Sequence, residues 1–289
     1  MTDVGVVLLT MGNRPAELNR ALESLSQQRD VTMDIVCVGN GWEPADLPWD
    51  IKTAYLPENL GVCGGRNAGV SHVSGELLFF LDDDAWLSDP HFLARSLAHF
   101  RAWPDLGIVQ PRVHDPDVPT DARRWIPRLR KGDPARSSYA FTLWEGALVV
   151  RRNVFDAIGG FGDELFFYHE GIELAWRCWD QGSVAWYAGD LLAHHPNTPA
   201  KRHADNDFHR LMARNRVWIA RRNLPKILAP LYVGSWTAIH TLRSRRDRAG
   251  LSVWFQGWRD GWRSDPGPKR PMRWRTVWEV TRRGRPPVV

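Results

Sequence analysis

The chain has 289 residues, of which 43% are hydrophobic and 25% are charged, and its net charge is +5. This composition is typical of a globular protein with room for one large domain or two small ones. Three widely spaced cysteines argue against a disulfide framework or a zinc site. No window of about 18 residues is free of charge, which argues against a membrane-spanning helix. The N-terminus lacks a basic stretch, so we expect no signal peptide and a cytoplasmic location.

The first half of the chain alternates strand-like and helix-like patterns. Apolar runs predict strands at Val4–Thr10, at 33–39 and, more weakly, at 51–56. Asn13-Arg14-Pro15 is typical of a helix start, and apolar residues then recur with helical spacing. Strands and helices in regular alternation predict an α/β fold with a mostly parallel central sheet and helices on both faces.

An apolar run at 75–81 ends in three consecutive carboxylates, Asp82, Asp83 and Asp84. The run predicts a buried strand, and ligands usually bind at the carboxyl ends of strands in open α/β sheets. Three like charges at one strand end repel each other, and a divalent cation with oxygen ligands would offset them. The alternative is an acidic turn exposed to solvent.

A glycine-rich segment at 59–69 precedes this strand. Glycines at this density let backbone amides approach a ligand, and Arg66 adds a cation that could meet phosphate oxygens. The segment matches neither the Walker motif nor the dinucleotide fingerprint. A tight loop followed by a closely packed helix is the alternative interpretation.

The second half contains a strand-like run at 144–150 and a helix that is predicted to begin near Glu170. Glu170 and Glu173 are candidates for a chemical role in the first turn of this helix. Each also has a structural interpretation. A carboxylate at a helix start is stabilised by the helix dipole, and Glu173 lies four residues before Arg177, which is the spacing of a surface ion pair.

Two histidines, His194 and His195, follow short predicted strands at 184–187 and 191–193. Two histidines at a strand end, in a chain with an unpaired Asp triplet, are candidate metal ligands. Between the two halves of the chain, residues 114–138 are rich in Pro and Arg and predict an irregular surface loop that could act as a lid.

The pattern becomes helical from about residue 205, with three predicted helical stretches up to 262. The end, 270–287, is basic, carries tryptophans and is predicted to be poorly packed. Arg with Trp suits an anionic membrane surface and would also suit nucleic acid. A tail packed on its own domain is the third interpretation.

Taken together, these segments resemble glycosyltransferase family 2, whose members have the nucleotide-diphospho-sugar transferase (GT-A) fold. The resemblance covers about residues 4–223. It depends on five features in the expected order: Thr10 with Arg14; Asn59-Leu60-Gly61 with Gly65-Arg66-Asn67-Ala68-Gly69; the Asp triplet; Gly159-Gly160-Phe161 leading to Phe166-Phe167-Tyr168-His169-Glu170; and a late histidine followed by Arg214-Asn215.

The resemblance implies a nucleotide site and a metal site. Asp82 and Asp84 match the family's Asp-x-Asp, which holds Mg or Mn against the diphosphate, and His194 is the best match for a metal-side histidine, with His195 as the alternative. Arg66 is expected at the diphosphate and Asp83 near the ribose. The residues implied for the nucleotide are Thr10, Arg14, Asn40, Arg66, Asn67 and Asp83.

Two positions depart from the family pattern. Gly39 stands where members commonly carry an Asp just before Asn40. Gly171 stands where the family has the Asp that serves as catalytic base, so the resemblance leaves Glu170, next to it, and Glu173, one turn on, as candidate bases.

The resemblance implies an inverting, metal-dependent transferase. It would move a sugar from a UDP- or dTDP-sugar to a glycan or lipid-linked acceptor in cell-envelope polysaccharide synthesis, peripherally at the inner face of the membrane. The alternatives are a nucleotide-sugar-binding relative with little activity and, more remotely, a nucleic-acid-binding protein. We expect a GT-A domain at 1–203, divided into a nucleotide half, 1–115, and an acceptor half, 116–203, and a helical extension at 204–289.

Overall fold

The computed structural model describes residues 2–197 and 206–288. Within them the strands form one sheet, and the helices cover it and continue into the C-terminal region. The strands are β1 Val4–Thr10, β2 Met33–Asn40, β3 Lys52–Leu56, β4 Leu77–Asp82, β5 Trp86–Leu87, β6 Leu106–His114, β7 Ser138–Tyr139, β8 Ala147–Arg151 and β9 Val184–His194. The helices are α1 Pro15–Ser26, α2 Gly61–Val70, α3 Phe92–Ala102, α4 Arg152–Ile158, α5 Glu170–Gln181, α6 Asn206–Asn223, α7 Leu228–Arg243, α8 Arg248–Arg263 and α9 Trp274–Arg282.

The sheet has the order β3-β2-β1-β4-β8-β6-β9-β5, with β7 paired to β9. Strands β3, β2, β1 and β4 are mutually parallel, and β6 is parallel to β9. Strand β8 is antiparallel to both β4 and β6. All seven residues of β1 are buried, as expected for a strand covered on both faces. The predicted α/β fold with a mostly parallel sheet and helices on both faces is confirmed.

Helix α2 lies close to the sheet because glycines occupy two of its positions that face β1. A Cβ on Gly69 would lie 2.4 Å from Val7 Cγ1, and a Cβ on Gly65 would lie 2.5 Å from Leu9 Cδ1. At these two positions the glycines of the 59–69 segment therefore serve the packing of a helix against β1. This packing holds Arg66, which lies between them, beneath the edge of the sheet.

Two strand and loop predictions change in detail. The two short strands predicted at 184–187 and 191–193 are one strand, β9, which passes a bulge where its register to β6 shifts. The 114–138 segment is irregular, as predicted, but its centre is anchored by the buried side chain of Trp125. Asp121 accepts from Arg112 Nε at 2.7 Å and contributes to the same anchoring.

The prediction of a poorly packed C-terminal end is wrong, because this segment contains α9, which packs on α5. Met272 and Val280 are buried, and Thr276 Oγ1 donates to Asp180 Oδ1 at 2.8 Å. The guanidinium of Arg283 lies 4.4 Å from the ring centroid of Tyr139. Of the three interpretations of this segment, a tail packed on the rest of the chain fits these buried side chains.

The remaining C-terminal helices pack on each other through glycine contacts. A Cβ on Gly257 of α8 would lie 2.1 Å from the carbonyl oxygen of Arg210 in α6, so only a glycine allows this approach. The expected domain boundary at 203/204 lies outside the described residues. Among the described residues, no helix combines the length and the apolar character needed to cross a membrane.

Candidate active site

The Asp triplet and the end of β1 form one polar cluster. The parallel register pairs Leu9 of β1 with Asp82 of β4, so Thr10 and Asp83 follow side by side. Thr10 Oγ1 donates to Asp83 Oδ2 at 2.7 Å, and Arg14 forms ion pairs with both Asp83 and Asp84. Burial raises the pKa of Asp83 to about 6, although the hydrogen bond from Thr10 opposes the shift.

Asp82, Asp84 and His195 form a candidate metal site. One potential ligand atom from each lies within 4.8 Å of the others. His195 Nε2 is 3.1 Å from Asp84 Oδ1. Burial alone would raise the pKa of Asp84, but its hydrogen bond with His195 and the positive charge of Arg14 outweigh this and lower the pKa. Two carboxylates and one imidazole suit Mg or Mn, so these residues fit the implied cation.

The structure brings His195, the alternative candidate, to this cluster, and it turns His194 away. The His194 ring stacks on Trp86 with centroids 5.2 Å apart, and its Nε2 is 2.9 Å from Ser88 Oγ. His195 instead meets the ring of Trp144 edge-on, with centroids 5.0 Å apart. Successive side chains of an extended segment point to opposite sides, so only one of two adjacent histidines can face the acids.

Arg66 is the positive centre beside the Asp triplet. It is 2% exposed, and its Nη2 donates to Asp82 Oδ1 at 2.6 Å. Burial alone would lower the pKa of Arg66, but the charges of Asp82, Glu145 and Glu170 raise it. Its Nη1 is buried and has no hydrogen-bond partner among the described residues, so it can still serve an anionic ligand.

Two residues expected at the nucleotide hold loops together through their amide groups. Asn40 Nδ2 donates to Asn59 Oδ1 at 2.8 Å, and Asn40 Oδ1 accepts from the backbone N–H of Leu60 at 2.8 Å. Asn67 Nδ2 donates to the Phe161 carbonyl oxygen at 2.9 Å, and Asn67 Oδ1 accepts from the Phe161 N–H at 3.0 Å. Their amide groups therefore order the loops around the site.

Glu173 lies in a buried ionic network rather than on the surface. It is 1% exposed and lies 2.9 Å from both Arg177 Nη2 and Arg222 Nε. Asn223 Nδ2 also donates to Glu173 Oε1, at 2.6 Å. The expected ion pair with Arg177 is present within α5, but it is buried, and Arg222 and Asn223 connect the same carboxylate to α6. Its partners leave Glu173 poorly placed to take a proton from a substrate.

Glu170 is 4% exposed, and its Oε2 has no hydrogen-bond partner in the described part of the chain. Burial raises its pKa to about 6, against the opposing charge of Arg66. Glu145, just before β8, is only partly exposed. Burial and the charge of Glu170 raise the pKa of Glu145 well above its ordinary value, while Arg66 opposes this shift.

The sequence interpretation did not single out Glu145. A carboxylate inside the apolar run at 144–150 was the available signal. The contact that makes it notable involves Gly171. A Cβ on Gly171 would lie 1.8 Å from Glu145 Oε1, so the Glu145 carboxylate occupies the space beside the first turn of α5.

Comparison with protein-family models decides the family. The model described as "Glycosyl transferase family 2" matches residues 6–159, which is more than half of the chain. The chain belongs to glycosyltransferase family 2. The match includes the Asp triplet, Arg66 and Glu145, and it ends before α5 and the late histidines.

Solved structures of similar fold carry sugar nucleotides. The mannosyltransferase PcManGT from Pyrobaculum calidifontis, in complex with GDP-Man and Mn²⁺, is 14% identical, with a TM-score of 0.59 over 96% of this chain and 78% of that one. TarS 1–349 of S. aureus, in complex with UDP-GlcNAc, is 14% identical, with a TM-score of 0.61 over 89% and 79% of the two chains. At this level of identity the likeness establishes the GT-A fold.

Curated relatives are more similar in sequence but much longer. The chain is 25% identical over 226 residues to a pre-mycofactocin glycosyltransferase of Mycobacterium tuberculosis, which covers 75% of this chain and 44% of the relative. It is also 25% identical over 259 residues to the O-antigen biosynthesis protein RfbC of Myxococcus xanthus. This match covers 76% of this chain and 20% of the relative. The chain thus spans less than half the length of these relatives.

At Gly39, as at Gly171, another segment of the chain fills the space that a side chain would occupy. A Cβ on Gly39 would lie 1.9 Å from the Trp42 carbonyl oxygen and 2.7 Å from Pro44 Cδ. No side chain fits at position 39 while this loop keeps its path. The Trp42 ring also lies within 2.3 Å of where a Cβ on Gly12 would be, so it covers the end of β1 next to Thr10.

Proposed function

We propose that this chain is an inverting, metal-dependent glycosyltransferase that uses a nucleoside diphosphate sugar as donor. The observation that carries the proposal is the convergence of Asp82, Asp84 and His195 within 4.8 Å at the carboxyl end of β4. Ligands of open α/β sheets bind at such strand ends. Fold neighbours with bound GDP-Man and Mn²⁺ or UDP-GlcNAc support the same donor class.

Asp82, Asp84 and His195 would hold Mg or Mn. Such a cation, when bound, would neutralise charge on the departing nucleoside diphosphate. Two arginines of the chain lie beside this candidate metal site. Arg66 fixes Asp82 through a 2.6 Å hydrogen bond and keeps one buried amino group for an anion. Arg14 lies on the other side of the triplet, where it adds a second positive charge near the diphosphate.

The acceptor is proposed to be a glycan or a lipid-linked sugar of the cell envelope. The resemblance to a protein named for O-antigen biosynthesis supports this class. UDP- and dTDP-sugars are the first donors to examine, and a GDP-sugar is the third because a mannosyltransferase in complex with GDP-Man shares the fold. A carboxylate must take the proton of the acceptor hydroxyl as its oxygen attacks the anomeric carbon.

The proposal is tested by calorimetric titration of UDP, dTDP and GDP into the protein, with Mn²⁺, with Mg²⁺ and with a chelator. We expect one nucleotide to bind at least ten times more tightly with metal than with chelator, because a cation held by Asp82, Asp84 and His195 would neutralise charge on the diphosphate. Equal binding of all three nucleotides with and without metal, or no binding of any, would contradict the proposal.

The tail is proposed to contact an anionic membrane through one side of α9. Trp274 and Trp278 are 58% and 64% exposed and lie one helical turn apart. Arg275 and Arg282, on the same helix, are also exposed. Indole rings suit the interface between headgroups and acyl chains, and arginines suit anionic headgroups.

Replacing Trp274 and Trp278 together by Ala is expected to weaken binding to phosphatidylglycerol vesicles about tenfold, since two interfacial rings are lost. Co-sedimentation with vesicles measures the effect. This double change is better than removing the tail, because Met272 and Val280 are part of the core. Leu129→Ala, which shortens a side chain that is 49% exposed elsewhere, is the matched control. Equal binding by the double variant and wild type would refute the membrane proposal.

A further inference from the structure

The pairing of β4 with β8 places residue 145 next to the acidic cluster. The backbone N–H of Asp82 donates to the Gly146 carbonyl oxygen at 2.9 Å. A Cβ on Gly146 would lie 2.6 Å from Asp82 Oδ2, so the chain passes directly against a proposed metal ligand. Glu145 therefore enters the site from the sheet, one residue before this contact.

The Glu145 side chain extends from the sheet to the first turn of α5. Its Oε1 lies 1.8 Å and its Cδ 2.5 Å from the position of a Cβ on Gly171. The Leu143 carbonyl oxygen is also 2.5 Å from that position, so the 143–145 segment as a whole lies against the helix. The Gly171 N–H and the positive end of the helix dipole both stabilise a carboxylate in this place.

The two carboxylates in the first turn of this helix, Glu170 and Glu173, are less suited to meet an acceptor. Glu173 is bound to Arg177, Arg222 and Asn223, and Glu170 is 4% exposed. Glu145 is more exposed than either. Its raised pKa also makes it a stronger proton acceptor than an ordinary carboxylate, and Arg66 nearby favours its charged form.

We propose that Glu145 is the catalytic base of the transfer, in place of a side chain at position 171. This inference depends on the transferase function proposed above. The Glu145 carboxylate takes the proton of the acceptor hydroxyl as the acceptor oxygen forms its bond to the anomeric carbon. The bond from that carbon to the diphosphate oxygen breaks on the opposite side, and its electron pair leaves with the nucleoside diphosphate.

The experiment uses water as the acceptor. Release of nucleoside diphosphate from UDP-GlcNAc, dTDP-rhamnose and GDP-mannose is measured with Mn²⁺ for wild type and for Glu145→Gln. Nucleotide binding is measured on the same preparations by calorimetry. We expect Glu145→Gln to bind the nucleotide with an affinity within about threefold of wild type. We expect it to cleave the donor at least about 100-fold more slowly, because a general base usually contributes a factor of this size or more.

Two further variants sharpen the result. Glu164→Gln removes a carboxylate that pairs with Arg222, away from the Asp triplet, and should leave turnover unchanged. Glu145→Ala leaves a space beside Gly171 that formate can fill with a carboxylate. Added formate should therefore raise the turnover of this variant at least tenfold and leave the turnover of wild type unchanged.

The outcomes separate the base assignment from the transferase function. If wild type releases nucleotide and Glu145→Gln does so equally fast, the base assignment is overturned and the transferase function stands. If Glu145→Gln loses nucleotide binding together with turnover, Glu145 is a binding or structural residue and the assignment is also overturned. If wild type neither binds a nucleotide nor releases one from any donor, the proposed function fails and the base assignment fails with it.

Discussion

Replacing Asp84 by Asn is expected to lower the rate of donor cleavage about a thousandfold, and to remove the metal dependence of nucleotide binding. Asp84 is the carboxylate that meets both His195 and Arg14, and together with Asp82 it supplies the anionic oxygens of the candidate metal site. Stabilisation of transition-state charge by a metal is worth several kcal/mol, and about 1.4 kcal/mol corresponds to a factor of ten in rate. Calorimetry with Mn²⁺ and with a chelator, together with donor-cleavage assays, measures both effects.

Asp117→Asn is the matched control for this change. Asp117 is an exposed carboxylate outside the cluster, so it should keep both nucleotide binding and turnover. Thermal unfolding of both variants shows whether the protein still folds. If Asp84→Asn is folded and still binds nucleotide more tightly with metal than with chelator, the Asp triplet is not the metal site.

The second large effect is on stability. Glu173→Ala is expected to lower the free energy of unfolding by about 3–5 kcal/mol, because it removes the carboxylate that pairs with the buried guanidinium of Arg177 and leaves Arg222 with only the partly exposed Glu164. Glu173 lies 2.9 Å from both Arg177 and Arg222, and Glu173 and Arg222 are 1% and 2% exposed. Denaturant unfolding measures the loss. Below the unfolding transition, the folded variant should keep its rate of donor cleavage, because Glu173 is proposed here to have a structural role.

Glu164→Ala provides the comparison for this prediction. Glu164 lies 2.8 Å from the same Arg222, but its side chain is 41% exposed. Exposed ion pairs contribute about 1 kcal/mol or less, so the loss should be small. Equal losses for Glu173→Ala and Glu164→Ala would contradict the buried network. A folded Glu173→Ala variant without donor cleavage would restore Glu173 as a candidate base.

The nucleotide half of the fold was largely predictable from local patterns. Unbroken apolar runs mark strands that are buried on both faces, so β1 has the predicted ends, and β4 begins two residues and ends one residue after the apolar run at 75–81. The Asp triplet follows the second of these strands directly, and the register between β1 and β4 then places Thr10 beside Asp83. The strand ends and the position of the Asp triplet follow from local sequence patterns, and the contact between Thr10 and Asp83 also requires the pairing of β1 with β4.

What could not be predicted depends on contacts between distant segments. Nothing local distinguishes His195 from His194, since their directions depend on how β9 enters the sheet after its bulge. The meeting of Glu145 with Gly171 requires the pairing of β8 with β4 and the placement of α5 at once. The packing of the C-terminal end was missed because a basic composition with tryptophans is also typical of an exposed surface, and Met272 and Val280 become buried only when the segment packs on the rest of the chain.

The fit between Glu145 and Gly171 has a consequence for how such a site can change by mutation. A side chain at 171 would collide with the Glu145 carboxylate and with the Leu143 carbonyl oxygen, at 1.8 and 2.5 Å, so the two positions cannot both carry a carboxylate in this arrangement. A protein that changes from a carboxylate at position 145 to one at position 171 must first lose the carboxylate at 145. A single substitution of Gly171 by Asp is therefore blocked for as long as the 143–145 segment keeps its path. Either arrangement of the carboxylate thus tends to persist once it is present.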